Sequence, residues 1–132
     1  MAKQSVLDKI NAIRKSLFVD DRYHNYSHSV VLQGWLIASP IIRVAFNGKR
    51  VANFFVYQVN ERGYKAFSCI TYSEPIIKAL LDTKQVCLIN CLGLLTYSSK
   101  TRYNVQIEEI EITHLFEDIP LDPPYTEEEE ND

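Results

Sequence analysis

The sequence predicts an all-β fold, or at least a mainly β one. It is a small five-stranded barrel with one helix between the third and fourth strands. An extra helix precedes it, and a disordered acidic tail follows it. Three observations carry this. From Ser29 to Thr113 apolar residues recur with a period of two, in five runs divided by turn signals. One helical run, opened by Pro75, interrupts the strands between the third and the fourth. And 132 residues, 46% of them hydrophobic and 23% charged, suffice for one domain with a core. Large enzymes, repeat arrays, collagen-like chains and wholly disordered chains are thereby set aside.

Residues 5–18 carry Val6, Leu7, Ile10, Ile13 and Leu17 at helical spacing, with Ser5 and Asp8 placed as a capping box. The polar and aromatic segment to residue 28 is expected to be loop. Strands are predicted over Val30–Ile37, Val51–Val59, Tyr64–Tyr72, Val86–Leu95 and Tyr103–Thr113. Asn47-Gly48 is a strong hairpin signal between the first two, and Arg62-Gly63 marks the next turn. Ser73 or Glu74 can cap the helix that Pro75 opens. The break in alternation between Ile107 and Ile110 predicts a bulge near Glu108-Glu109. The domain organisation follows: residues 1–28 helix and loop, 29–116 barrel, 117–132 tail. The order β-β-β-α-β-β is that of an OB-fold, although an SH3-like or another small barrel shares much of it.

The net charge of −3 conceals a segregation. From Glu117 onward there are eight acids and no Lys or Arg, so the preceding body has nine acids against fourteen bases. A basic body with an acidic tail fits a polyanionic partner, or simply a solubilising tail. With three prolines and four consecutive glutamates, 117–132 cannot offset its ordering entropy and is expected to be disordered. Charges at Lys3, Asp8, Lys9, Arg14 and Lys15 interrupt any signal-peptide core. The apolar run 86–95 is half the length of a membrane helix. A soluble cytoplasmic protein without membrane association is expected.

No enzyme signature is present. Asn47-Gly48-Lys49-Arg50 lacks the upstream glycine and the following Ser or Thr of a phosphate loop. His24 and His28 lack the glutamate of a zinc-protease motif, and Cys87 and Cys91 lack knuckle spacing, so no metal or other cofactor is expected. Cys69, Cys87 and Cys91 are expected to be buried structural thiols. What remains is an interleaving of rings and cations. Phe54 and Val56 share one face of their strand, and Phe55 and Tyr57 the other. Rings on an outer face form a stacking platform for bases, unless a subunit interface or the N-terminal helix covers them. Arg43, Lys49, Arg50, Arg62, Lys65, Lys100 and Arg102 fall at predicted turns and strand ends, where they can follow a phosphate backbone.

The segment SVVLQGWLIASPIIRVAFNGKRVANFFV, residues 29–56, resembles the bacterial and phage single-stranded DNA-binding proteins. The matching residues are Val30, Leu32, Gly34, Leu36, Pro40, Arg43, Asn47, Gly48, and then Val51, Ala52, Asn53 and Phe54. The likeness extends by order of elements to about residue 113. It implies an OB-fold that binds single-stranded DNA, or RNA, without sequence preference, in replication, recombination or repair. It implies a homo-oligomer, tetramer or dimer. It places Arg43 and the loop Phe46–Arg50 on the backbone, Phe55 and Tyr57 on the binding face, and Phe67, Tyr72 and Tyr97 at stacking positions. The family has Trp at such places. Here the one Trp is Trp35, on the first strand, so weaker stacking is implied. Family tails recruit replication and repair proteins through an apolar tip. The similar Glu117–Leu121 lies internally here. The alternative function is an OB-fold interaction or primosome-accessory subunit with weak nucleic-acid binding.

Overall fold

The computed structural model describes residues 2–15, 22–26, 29–60, 63–99 and 102–124. Its elements are α1 (Ala2–Lys15), β1 (Arg22–Tyr26), β2 (Ser29–Leu36), β3 (Ile41–Val44), β4 (Arg50–Asn60), β5 (Gly63–Thr71), α2 (Glu74–Asp82), β6 (Gln85–Ser99) and β7 (Arg102–Pro120). The hydrogen-bonded strand order is β1-β2-β6-β7-β5-β4-β3. A further pairing of β2 with β4, Trp35 opposite Tyr57, closes β2-β6-β7-β5-β4 into a five-stranded barrel. β5 and β7 run parallel, through Cys69–Val105 and Ile70–Gln106, and all other pairs are antiparallel. The barrel is an OB-fold.

The five predicted strands are the five that close it, and α2 falls between the third and fourth of them. Pro75 opens α2 as expected. Ser73 is its N-cap, but only the Ser73 carbonyl contributes, accepting from the Ile77 amide at 2.9 Å. The expected bulge is present: Leu92 pairs with Glu109 and Gly93 with Ile107, which leaves Glu108 over.

Apolar side chains sort into two clusters by strand face. The inner cluster holds Val30, Leu32, Leu36, Phe54, Val56, Cys69, Ile89, Cys91, Val105 and Ile107, with Ile76 and Leu80 of α2 laid against it. The three thiols are buried here, and burial pushes those of Cys87 and Cys91 up to about 12, so they are neutral and inert at physiological pH. The outer cluster holds Trp35, Ile37, Tyr57, Val59, Val86 and Leu88, roofed by Val6 and Ile10 of α1.

Two glycines permit close strand crossings. A Cβ on Gly34 would lie 2.7 Å from the Tyr57 carbonyl oxygen, where β2 meets β4, and one on Gly93 only 2.3 Å from the Gln106 oxygen at the bulge. Gly93→Ala must push backbone apart and is expected to cost about 2–3 kcal/mol in a urea unfolding titration.

Four sequence expectations need correction. Residues 22–26 form a strand, not a loop: β1 pairs with β2 in a hairpin from Arg22–Gln33 to Tyr26–Ser29, and backbone pairing needs no apolar alternation. The Asn47-Gly48 turn joins β4 to the short β3, because β2 ends at Leu36 and pairing with β4 resumes at Ile41. α1 begins at Ala2, three residues earlier than expected, and is described to Lys15; the expected residues 16–18 lie outside the described residues. Residues 117–124 are also ordered, whereas 125–132 lie outside the described residues. β7 continues to Pro120 opposite Gln85, the Leu121 amide donates to the Lys84 carbonyl, and Asp122 bridges residues 37–39. Ile119 and Leu121 supply the apolar contacts that make this ordering worthwhile.

Candidate nucleic-acid interface

The turn between β3 and β4 is tightly built. Ala45 N donates to the Lys49 carbonyl at 2.7 Å, Gly48 N to the Ala45 carbonyl at 2.9 Å, and Lys49 N to Asn47 Oδ1 at 3.1 Å. Gly48 has φ of 82°, the left-handed conformation that closes a three-residue hairpin loop. This scaffold holds Phe46 at the tip, fully exposed, with Val44 72% exposed beside it. The two form a small apolar patch open to solvent.

Cations surround the tip. Arg43 and Lys49 are exposed, and Arg43 Nη2 donates to Asn53 Oδ1 at 2.5 Å. Arg50 meets Glu74 at 2.7 Å across the surface. The hydrogen bond with Arg50 holds the Glu74 carboxyl below its ordinary range, and Glu74 raises the Arg50 guanidinium. Tyr72, half exposed, follows β5 beside the start of β4. Thr71 anchors that corner, donating to the Ile107 carbonyl and accepting from the Ser73 amide. Arg43, Phe46, Lys49, Arg50 and Tyr72 thus gather at one end of the barrel. Val44 and Asn53 belong with them and were missed, since neither an aliphatic on an edge strand nor an amide carries a binding signal in sequence.

Lys65 and Phe67 lie elsewhere. Their register partners are Gln58 and Val56, so Phe67 is about 20 Å along the strand from Arg50, at roughly 3.3 Å per residue. Phe67 shares the face of Val56 and packs half-buried against the inner cluster, with the Lys65 ammonium 4.9 Å from its ring centroid. Its ring is therefore only partly open to stacking. Ser68 Oγ donates to Asn104 Oδ1 at 2.5 Å, which ties this corner to the foot of the β6–β7 hairpin. Tyr97 and Arg102 occupy backbone positions near the end of that hairpin, while Arg62 and Lys100 lie outside the described residues.

The outer face of β4 is not open. Tyr57 is wholly buried and Phe55 partly buried, because α1 lies across them. The expected binding-face position of Tyr57 is corrected accordingly. Tyr57 contacts Tyr64 at 5.6 Å and Phe55 at 6.4 Å between centroids, and Trp35 stacks on Phe116 at 5.1 Å. The alternative of coverage by the N-terminal helix describes this face. Among the described residues no metal-binding cluster of His, Cys, Asp or Glu occurs, and no helix is long and apolar enough to cross a membrane.

Known structures share this barrel. The mitochondrial single-stranded DNA-binding protein of S. cerevisiae superposes with a TM-score of 0.61 at 13% identity, over 68% of this chain and 97% of that one. The fold is that of the single-stranded DNA-binding proteins. The wild-type protein of Thermus aquaticus gives 0.55 at 20% identity, over 65% of this chain and 40% of that one. The SSB domain of a Synechococcus protein gives 0.55 at 17%, over 67% and 98%. No family model and no curated protein matches the sequence.

The Arg50–Glu74 pair restrains one cation of the hairpin. Because the Glu74 pKa is lowered, the pair persists at neutral pH and is lost only as pH falls through that lowered value. Glu74→Gln should release Arg50 to a phosphate. If the hairpin binds a single strand, affinity at pH 7 should rise a few-fold. The slope of log K against log salt should steepen by about 0.7.

Proposed function

We propose that the protein binds single-stranded DNA without sequence preference, as a non-catalytic protein of replication, recombination or repair. The observation that carries this reading is the β3–β4 hairpin: a fully exposed Phe46 on a stiff turn, ringed by Arg43, Lys49, Arg50 and Tyr72. Rings accept any base by stacking, at about 1–3 kcal/mol each, and the cations exchange condensed counterions for phosphates. The barrel's likeness to single-stranded DNA-binding proteins of three organisms supports the same reading. Lys65, exposed on β5, would extend the path along that strand. Leu92 and Leu94 of β6, each 39% exposed, would offer a homo-oligomer an apolar surface.

The test is fluorescence anisotropy of labelled poly-dT against a duplex of equal length at several salt concentrations. Tight, salt-sensitive binding to the single strand alone is expected. No binding at low salt by folded protein would sink the reading. It would favour the interaction-subunit alternative, which the coverage of Tyr57 and the exposed Leu92 and Leu94 already suit.

A further inference from the structure

The outer cluster has an unusual make-up for a face that a single helix covers. Five rings meet there: Trp35 from β2, Phe55 and Tyr57 from β4, Tyr64 from β5 and Phe116 from β7. Against them α1 buries Val6 and Ile10, while Leu7 remains 39% exposed. An aromatic surface is thus roofed by two aliphatic side chains.

A polar latch completes the attachment. Lys9 Nζ lies 2.5 Å from Asp122 Oδ1, with both side chains about 14% exposed, and the Ser5 hydroxyl donates to the other Asp122 oxygen. The backbone of Asp122 is fixed independently: its amide donates to the Ile37 carbonyl and its carbonyl accepts from Ser39 N. A nearly buried ion pair returns little net stability, because desolvation offsets attraction. A 14-residue helix is also marginal by itself in water. Release from the barrel would therefore melt it, so docking and helix formation are coupled.

We propose that α1 and a single DNA strand compete for this ring face, with the Lys9–Asp122 pair as the latch. This rests on the single-stranded DNA reading and adds its regulation. With α1 docked, this ring face is closed to the strand, which is held at the β3–β4 hairpin and along β5. With the latch broken, Phe55, Tyr57 and Tyr64 become available for stacking, and the bound length grows. The tethered helix sets a threshold that a long strand passes more readily than a short one, since each added base contributes toward displacing it.

Trp35 is the one Trp in the chain and lies under α1, so its emission reports this face alone. Full-length wild type, Asp122→Asn, Lys9→Gln and the exchanged double variant (Lys9→Asp with Asp122→Lys) are titrated with dT oligomers. The expected result is at least fivefold tighter binding and stronger Trp35 quenching in both single variants, with a return toward wild type in the exchanged one. Hydrogen exchange on the wild type needs no variant: α1 amides should exchange faster when dT is added. Equal affinity in all four folded proteins, or α1 amides unchanged or slowed by dT, would overturn the competition while leaving hairpin binding intact. Absence of dT binding in every protein would overturn the underlying reading as well.

Discussion

A chain ending at Phe116 is expected to fold poorly, and one ending at Pro124 to fold as well as the whole. Composition marks everything after Phe116 as one acidic tail, but residues 117–124 belong to the fold. Residues 117–124 finish β7, place Ile119 and Leu121 against the clusters, and bring Asp122 to Lys9. Full burial of such an aliphatic side chain is worth about 1.5–3 kcal/mol, so the two together supply about 3 kcal/mol when part-buried. Loss of the backbone bonds to Ile37, Ser39 and Lys84 adds to that. Against a total stability of roughly 5–15 kcal/mol, the shorter chain should show a much lower urea midpoint and a red-shifted Trp35 emission. The chain ending at Pro124 should keep the wild-type midpoint while losing the four consecutive glutamates. If those acids compete with DNA for the basic hairpin, it should bind dT more tightly at low salt, with the gain fading as salt rises. A wild-type midpoint for the chain ending at Phe116 would mean that 117–124 contribute nothing to the fold.

Phe46→Ala is expected to weaken dT binding by about 1–3 kcal/mol, or about 5- to 150-fold, with stability changed by less than roughly 0.5 kcal/mol. The separation of the two effects follows from position. Phe46 is fully exposed, so its truncation leaves no cavity, and the turn is closed by backbone bonds and Gly48. Tyr57→Ala is the contrast. Tyr57 is wholly buried, and its truncation should cost about 3–5 kcal/mol of stability before any effect on binding. Anisotropy and urea titrations on both variants make the comparison. Unchanged dT affinity in Phe46→Ala would remove the hairpin from the interface.

The barrel was legible because a closed sheet leaves a periodic imprint. Apolar residues at every second position, Pro75 before a helix and Asn47-Gly48 at a turn are local signals, and local physics produced those elements. β1 was not legible because RYHNY has no apolar alternation, and its edge pairing with β2 is made by backbone groups common to every sequence. The ends of β7 and the site behaved similarly. Ile119 and Leu121 stand among acids and prolines, and only the three-dimensional neighbourhood shows that a cluster receives them. Apolar residues on both faces of β4 announced that something besides the barrel interior must be covered, and the stripe Val6–Ile10 announced a helix seeking a partner. That the two satisfy each other is a tertiary fact absent from either segment. The same holds for Phe67: alternation placed it on a face, but only the pairing with Val56 identified that face as the inner one.

The latch between Lys9 and Asp122 joins positions 113 apart in the chain. During synthesis the helix segment leaves the ribosome first, and Asp122 long afterward. At about 5–20 residues per second, many seconds separate them. Throughout that interval the rings of the outer face are made one strand at a time, with α1 already present but its latch partner still missing. The nascent chain therefore passes through a period in which an aromatic surface stands open to chaperones, and to any nucleic acid nearby, before translation supplies the residue that shuts it.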